Sequence, residues 1–142
     1  MIERIEIKGV EARRYIELLE IKNYKISINH NTSIKSVRKK ETKAEIDFSF
    51  ITNYLPIGMI KIEGCMHYKG RVDELFEGWN REHRIVNKEI ATEVLNVPLA
   101  FCMPLVFALA KELNLPPPLP LPRLKFGEKK KIDKESEKQA YL

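Results

Sequence analysis

The feature that most constrains the fold of this chain is an apolar stretch followed by a proline-rich one. Residues 97–110, VPLAFCMPLVFALA, contain no polar side chain, and residues 113–126, LNLPPPLPLPRLKF, hold five of the eight prolines. A membrane span needs about 20 apolar residues, and Pro98 and Pro104 interrupt this stretch, so we predict a buried helix rather than a span. Since proline is tolerated in a first turn, the helix is predicted to begin at Pro104 and to run to about residue 114.

This helix is predicted to have more apolar surface than one subunit can cover. Apolar side chains surround much of its circumference, whereas a helix lying on a sheet exposes one side to water. Three covers stay open: the proline-rich residues 113–126, which we call the proline strap, a second copy of the chain, or an apolar client segment. Alternating leucine and proline favours a stiff polyproline II segment, so we predict a docked strap over a flexible linker or a ligand for a polyproline-binding partner.

The front of the chain is predicted to form a sheet. Short apolar-polar alternation indicates a strand at residues 2–9, one long strand or two short ones at residues 24–37, and strands at residues 44–51 and 58–68. Ala44, Ile46, Phe48 and Phe50 lie on one core face. The last three of these regions form an antiparallel meander with one covered face. The structure of residues 10–22 stays open, because they half fit a helix face.

Two amphipathic segments follow the sheet. The apolar residues Val72, Leu75, Phe76 and Trp79 have the spacing of a helix that can lie on a sheet. A second helix is predicted to begin near Asn87, a good N-cap. Together with the strands, these helices indicate the α+β class.

Length and composition indicate one domain in a reducing compartment. The 142 residues suit a single domain, predicted at residues 1–126, followed by a mixed-charge and flexible tail at 127–142. Two cysteines and no signal-like start favour the cytoplasm.

A basic segment raises nucleic-acid binding as an alternative function. The net charge is +5, and much of it is local, opposed only by Glu41. The ordinary interpretation is a solvated loop between strands, and no aromatic side chain lies between the cations to stack a base. The candidate phosphate contacts are Lys35, Arg38, Lys39, Lys40 and Lys43.

The sequence contains little that predicts catalysis. Cys65 and His67 lie two residues apart, but no second ligand pair at metal spacing follows them. A glycine-rich phosphate loop and the common hydrolase motifs do not occur. We therefore expect neither an enzyme nor a cofactor or metal site.

Residues 58–126 resemble the SecB protein-export chaperone family. The similarity lies in the strand GMIKIEG at 58–64, two prolines a few residues apart, an apolar helix that opens on the second proline, and a leucine-proline crossover that ends in apolar-x-Phe. Residues 2–8 also look like the opening strand of that family. The resemblance implies a four-stranded antiparallel sheet with helices on one side, a dimer of dimers, and ATP-independent holding of unfolded polypeptides.

The chain departs from this family in its charge and at its end. The export chaperones are acidic and continue into a further helix and an acidic tail, whereas this chain ends in GEKKKIDKESEKQAYL. We therefore expect a holdase that works outside the export pathway and forms a homo-oligomer. Thioether and aromatic side chains suit varied partners, and the candidate client contacts are Tyr54, Leu55, Ile57, Met59, Phe101, Met103 and Phe107. The candidate subunit contacts are Leu105, Val106, Leu109 and Leu113.

Overall fold

Four long strands and two helices follow one another along the chain. The structure, a computed structural model, describes residues 1–118; the rest of the proline strap, 119–126, and the predicted tail lie outside the described residues. The elements are β1 (Ile2–Arg14), a 3-10 helix (Leu18–Asn23), β2 (Ser27–Lys40), β3 (Lys43–Leu55), β4 (Gly58–Lys69), α1 (Val72–Glu82) and α2 (Lys88–Glu112). The predicted α+β class, an antiparallel four-stranded sheet with helices, is confirmed.

The sheet has the strand order β1-β4-β3-β2, and all its pairs are antiparallel. Strands β2, β3 and β4 form the predicted meander through two short turns. β1 is not part of this meander, because it pairs with β4 rather than with β2. The chain between β1 and β2 therefore crosses one end of the sheet and carries the 3-10 helix there.

The first strand is longer than predicted. Gly9 does not end it, since the register with β4 merely shifts between Ile7 and Gly9 and pairing continues to Arg14. A glycine inside a strand often marks such an irregularity. The open region 10–22 thus divides into the second half of β1 and the beginning of the 3-10 helix.

α2 is one continuous helix, so the predicted break before Pro104 is wrong. Asn87 caps it as predicted, and its side chain accepts hydrogen bonds from the backbone nitrogens of Glu89 and Ile90 at 2.9 and 3.1 Å. Pro98 and Pro104 both lie inside the helix. Each interrupts the backbone hydrogen bonding, but tertiary packing of the apolar side against the sheet outweighs this local preference.

The continuity of α2 also changes the argument about membranes. At 25 residues, the helix has the length and apolar composition of a membrane span. The sequence-based argument that the apolar helix is too short for a membrane span therefore no longer holds. One side of α2 packs against the sheet, and 33% of its apolar 18-residue window is buried within the subunit.

The core lies between the helices and one face of the sheet. The predicted core residues Ala44, Ile46, Phe48 and Phe50 are buried together with the inward residues of β4 and both helices. We call this side of the sheet the helix-side face. The other side, the open face, carries alternating charged and polar residues of the same strands.

The first residues of the proline strap dock on the helix-side face. Leu115 and Pro118 are buried, and a Cβ added at Gly58 would lie 3.4 Å from the Leu115 Cδ2 atom. The Arg14 Nε atom donates a hydrogen bond to the Leu113 carbonyl at 2.9 Å and holds the end of α2 to β1. Within the described residues, docking is therefore seen at Leu115 and Pro118, and docking of the rest of the strap stays a prediction.

Candidate polypeptide-binding surface

α2 keeps an apolar stripe exposed. Its exposed apolar residues recur three or four positions apart, as the members of one helix side do. Phe101 is 46% exposed and Phe107 is 39% exposed. We call the set the outer stripe, and its members are Ala100, Phe101, Pro104, Phe107 and Ala108.

A groove lies beside the C-terminal half of α2. It has a volume of about 760 Å³ and separates Phe107 and Ala110 of the helix from Ile21 of the 3-10 helix. Leu115 and Pro117 of the proline strap form a further wall. The lining is mainly apolar, and we call this feature the C-terminal groove. Its volume lies within the range of sites that bind small ligands or side chains.

A second, smaller groove lies between α1 and the N-terminal half of α2. Its volume is about 280 Å³, and Trp79, Ile85 and Leu95 supply apolar lining. Ile34 of β2 forms its wall on the sheet. We call it the α1–α2 groove.

The structure divides the seven predicted client contacts. Phe101 and Phe107 belong to the outer stripe. Leu55 is 49% exposed and Met59 is half-buried, but their register places both on the open face of the sheet. The predicted residues therefore do not form one continuous patch.

The other three predicted client contacts are corrected to core positions. Tyr54, Ile57 and Met103 are buried in the subunit. Tyr54 continues the inward alternation of β3 by two further steps, so its side chain lies on the helix-side face. Burial raises the pKa of its hydroxyl to about 12. Ile57 is held in the turn by backbone hydrogen bonds to Tyr54 and Tyr15.

The predicted subunit contacts also need one correction. Val106 is fully buried and packs in the core of its own subunit. Leu105, Leu109 and Leu113 are half-buried and pack at the edge of the core. These three retain apolar surface that another chain can contact.

The basic segment is part of a hairpin, and its predicted solvated-loop conformation is wrong. Only residues 41 and 42 form the turn, and the cations lie on β2 and β3. Each cation has a carboxylate partner. The pairs are Lys35 with Glu63 at 3.0 Å, Arg38 with Glu45 at 3.0 Å and with Asp47, Lys39 with Asp73, Lys40 with Glu45 at 3.4 Å, and Lys43 with Glu3 at 3.1 Å.

These ion pairs shift the pKa values of the carboxyl groups. Burial raises the pKa of Asp47, but hydrogen bonds from Ser36 and Arg38 outweigh it and hold the pKa below its ordinary value. The hydrogen bond from Arg38 likewise lowers the pKa of Glu45. The carboxylates are therefore ionised at neutral pH and neutralise the neighbouring cations. A surface paired in this way offers little net charge to a phosphate backbone.

The pair Cys65 and His67 does not assemble a larger site. Burial raises the pKa of the Cys65 thiol, which disfavours the reactive thiolate. Within residues 1–118, no group of three histidine, cysteine, aspartate or glutamate side chains is placed to hold a metal ion.

Sequence reasoning missed the contribution of the 3-10 helix to the surface. Leu18 and Leu19 are exposed, and Ile21 lines the C-terminal groove. The available signal was a set of apolar residues that only half fitted a helix face. Such a pattern is typical of a segment in which some apolar side chains are exposed to solvent and others line a groove.

Comparison with known structures finds a similar fold. One match is a SecB-like chaperone of Mycobacterium tuberculosis, Rv1957, solved in complex with a ChAD peptide from the Rv1956 HigA1 antitoxin. The TM-score is 0.53 at 12% sequence identity, and the match covers 89% of this chain and 91% of that chain. This chain has a SecB-like fold. No protein-family model and no curated protein matches the sequence.

Proposed function

We propose that this chain is an ATP-independent cytoplasmic holdase that binds non-native polypeptides along α2. The observation that carries the proposal is the outer stripe, which leaves Phe101 and Phe107 exposed beside the C-terminal groove. Contiguous exposed apolar surface marks interaction sites in soluble proteins. The SecB-like fold, found in a chaperone that was solved with a bound peptide, supports the same function.

The area of Phe107 indicates how strongly such a surface can bind. A phenylalanine side chain has roughly 200 Å² of surface, and 39% of Phe107 is exposed. Covering that part buries about 80 Å², which contributes about 2 kcal/mol. Several such contacts give weak, reversible capture once the ordering of the client is subtracted.

We further propose that the chain forms a homo-oligomer, a dimer or tetramer, through α2. Leu105 and Leu109 are one helical turn apart and lie on the same side of the helix. Phe107 is two residues from each, about 200° around the helix axis. Subunit contacts at the two leucines, with Leu113 at the end, therefore leave the side of Phe107 open to a client.

Sedimentation equilibrium of the full chain tests the association. We expect a mass of two or four subunits. A mass of one subunit at all concentrations contradicts the proposed oligomer, but it leaves client binding to be decided by the assay that follows.

An aggregation assay tests client binding. The protein, added to a reduced and denatured client without ATP, should suppress light scattering. Phe107→Asp should lose most of this suppression while its circular dichroism stays unchanged, because the replaced side chain is partly exposed. Leu55→Asp is the matched control, since Leu55 is 49% exposed on the opposite side of the sheet and should keep the activity.

Two outcomes contradict the proposed function. The first is a wild-type protein that neither slows aggregation nor binds the denatured client. The second is an equal loss in the two variants, because the binding surface then does not lie on α2.

A further inference from the structure

The two grooves beside α2 share a chemical character. Each has apolar walls and a lysine or arginine side chain, Lys111 in the C-terminal groove and Arg84 in the α1–α2 groove. Neither lining includes an aspartate or glutamate. A segment that enters either groove thus meets apolar surface and positive charge, with no acidic partner for a basic side chain.

The two groove cations also differ from those of the open face. Lys35, Arg38 and Lys43 are held by carboxylates on other strands of the sheet. Among residues 1–118, Arg84 and Lys111 have no ion-pair partner. Within that part of the chain, no carboxylate neutralises their charge.

We propose that these grooves select apolar polypeptide segments that carry aspartate or glutamate, and discriminate against segments that carry lysine or arginine. This inference rests on the proposed function and names its class of client. The apolar side chains of such a segment cover the groove walls and exclude water, which strengthens an ion pair at the edge. A basic segment would instead place like charges together, and opposed charges mainly determine specificity and association rate.

The net charge of the chain acts in the same direction. At +5, the protein attracts acidic segments before contact is made. The local preference at the grooves can be separated from this long-range term by removing equal charge at different places on the surface.

Three fluorescent ten-residue peptides test the inference on the full chain. All contain the same leucine, phenylalanine and serine residues, and they differ at two positions that hold glutamate, glutamine or lysine. Fluorescence anisotropy at physiological ionic strength measures each affinity. We expect the glutamate peptide to bind at least tenfold more tightly than the lysine peptide, with the glutamine peptide between them.

Charge-removal variants locate the preference. Arg84→Gln combined with Lys111→Gln should reduce the ratio of glutamate to lysine affinities to within about twofold and leave the glutamine peptide unchanged. The control combines Lys8→Gln with Lys69→Gln, which removes the same net charge at exposed strand positions outside both groove linings. This control should keep the preference.

The outcomes separate this inference from the proposed function. Equal binding of the glutamate and lysine peptides, or an unchanged preference in the Arg84 and Lys111 variant, overturns the inference and leaves the holdase proposal standing. A change of molecular mass in that variant also overturns it, because the cations then belong to a subunit interface. If no peptide binds, including the glutamine peptide, the proposed function itself fails.

Discussion

Gly64→Ala is the substitution whose effect the structure defines most closely. Gly64 lies on β4 between Phe48 of β3 and Ile7 of β1. A Cβ atom added there would lie 2.3 Å from the backbone oxygen of Glu6 and 3.0 Å from two ring atoms of Phe48. The ring can turn away, but the oxygen belongs to the backbone of β1 and can move only with that strand.

The expected loss of stability follows from these two contacts. Overpacking a well-packed site by one methyl group typically costs about 1–3 kcal/mol. The upper end applies here, because β1 has to shift by roughly 1 Å to restore ordinary contact. For a chain of this size, about 3 kcal/mol lowers the melting temperature by about 10 °C.

Thermal unfolding followed by circular dichroism measures this effect, with Gly9→Ala as the matched control. Gly9 lies on the same strand pair, but its added Cβ would meet nothing nearer than the Glu63 Oε1 atom at 4.0 Å. Its melting temperature should stay within about 2 °C of the wild type, since the change reduces only the freedom of the unfolded chain. A Gly64→Ala protein as stable as Gly9→Ala would falsify the close approach of β1 to β4.

Three further predictions concern residues of the core and the open face. Val106→Asp should unfold the subunit, because an unpaired buried charge costs several kcal/mol. The neighbouring Phe107→Asp should stay folded. Equal circular dichroism spectra of the two variants would contradict the orientation of α2. Arg38→Gln should lower the free energy of unfolding by about 1 kcal/mol at neutral pH. The pKa of Asp47 is lower in the folded than in the unfolded chain, so the stabilisation by the Arg38–Asp47 pair is present above the unfolded pKa and is lost as the pH falls through the folded pKa. Urea titrations of the wild type and of Arg38→Gln should therefore converge in acid. Tyr54→Phe should leave stability unchanged or raise it slightly, since the buried hydroxyl has no hydrogen-bond partner among residues 1–118; a loss above about 1 kcal/mol in urea unfolding would reveal a missed partner.

Local alternation predicted much of the sheet because burial on one face imposes a period of two. The same pattern, carried from Phe50 on to Tyr54, also predicts that Tyr54 is buried. The aromatic character of the side chain suggested a client contact instead. The proline turn that follows folds Ile57 back towards the core, a tertiary contact that no local pattern shows.

The path of α2 could not be predicted from local rules, because those rules favour a break. Proline disfavours a helix interior in an isolated segment. Here Val94, Pro98 and Cys102 are spaced by four and all are buried. Packing of this row on the sheet maintains the helix through both prolines, and it extends the outer stripe beyond the length expected from sequence.

The charge pairs show a second limit of sequence reasoning. Lys35 and Glu63 are 28 residues apart, and Lys39 and Asp73 are 34 apart. Their pairing depends on the strand order and on where α1 lies, neither of which the basic segment itself encodes. The lysine cluster suggests a phosphate-binding site in the sequence, but carboxylates neutralise its charge in the folded chain.

In residues 1–118, a set of paired charges and the exposed apolar side of α2 lie on opposite sides of the sheet. The open face carries many ion pairs, and these charged groups interact well with water. The open face therefore does not favour self-association. Apolar surface lies along α2 and in the grooves beside it, where Arg84 and Lys111 add positive charge. Like charges on two copies repel one another at these grooves, whereas an acidic and apolar segment meets no such repulsion. The cations that we propose to select clients therefore also disfavour contacts between the grooves of two copies, which is compatible with the proposed subunit contacts at Leu105, Leu109 and Leu113.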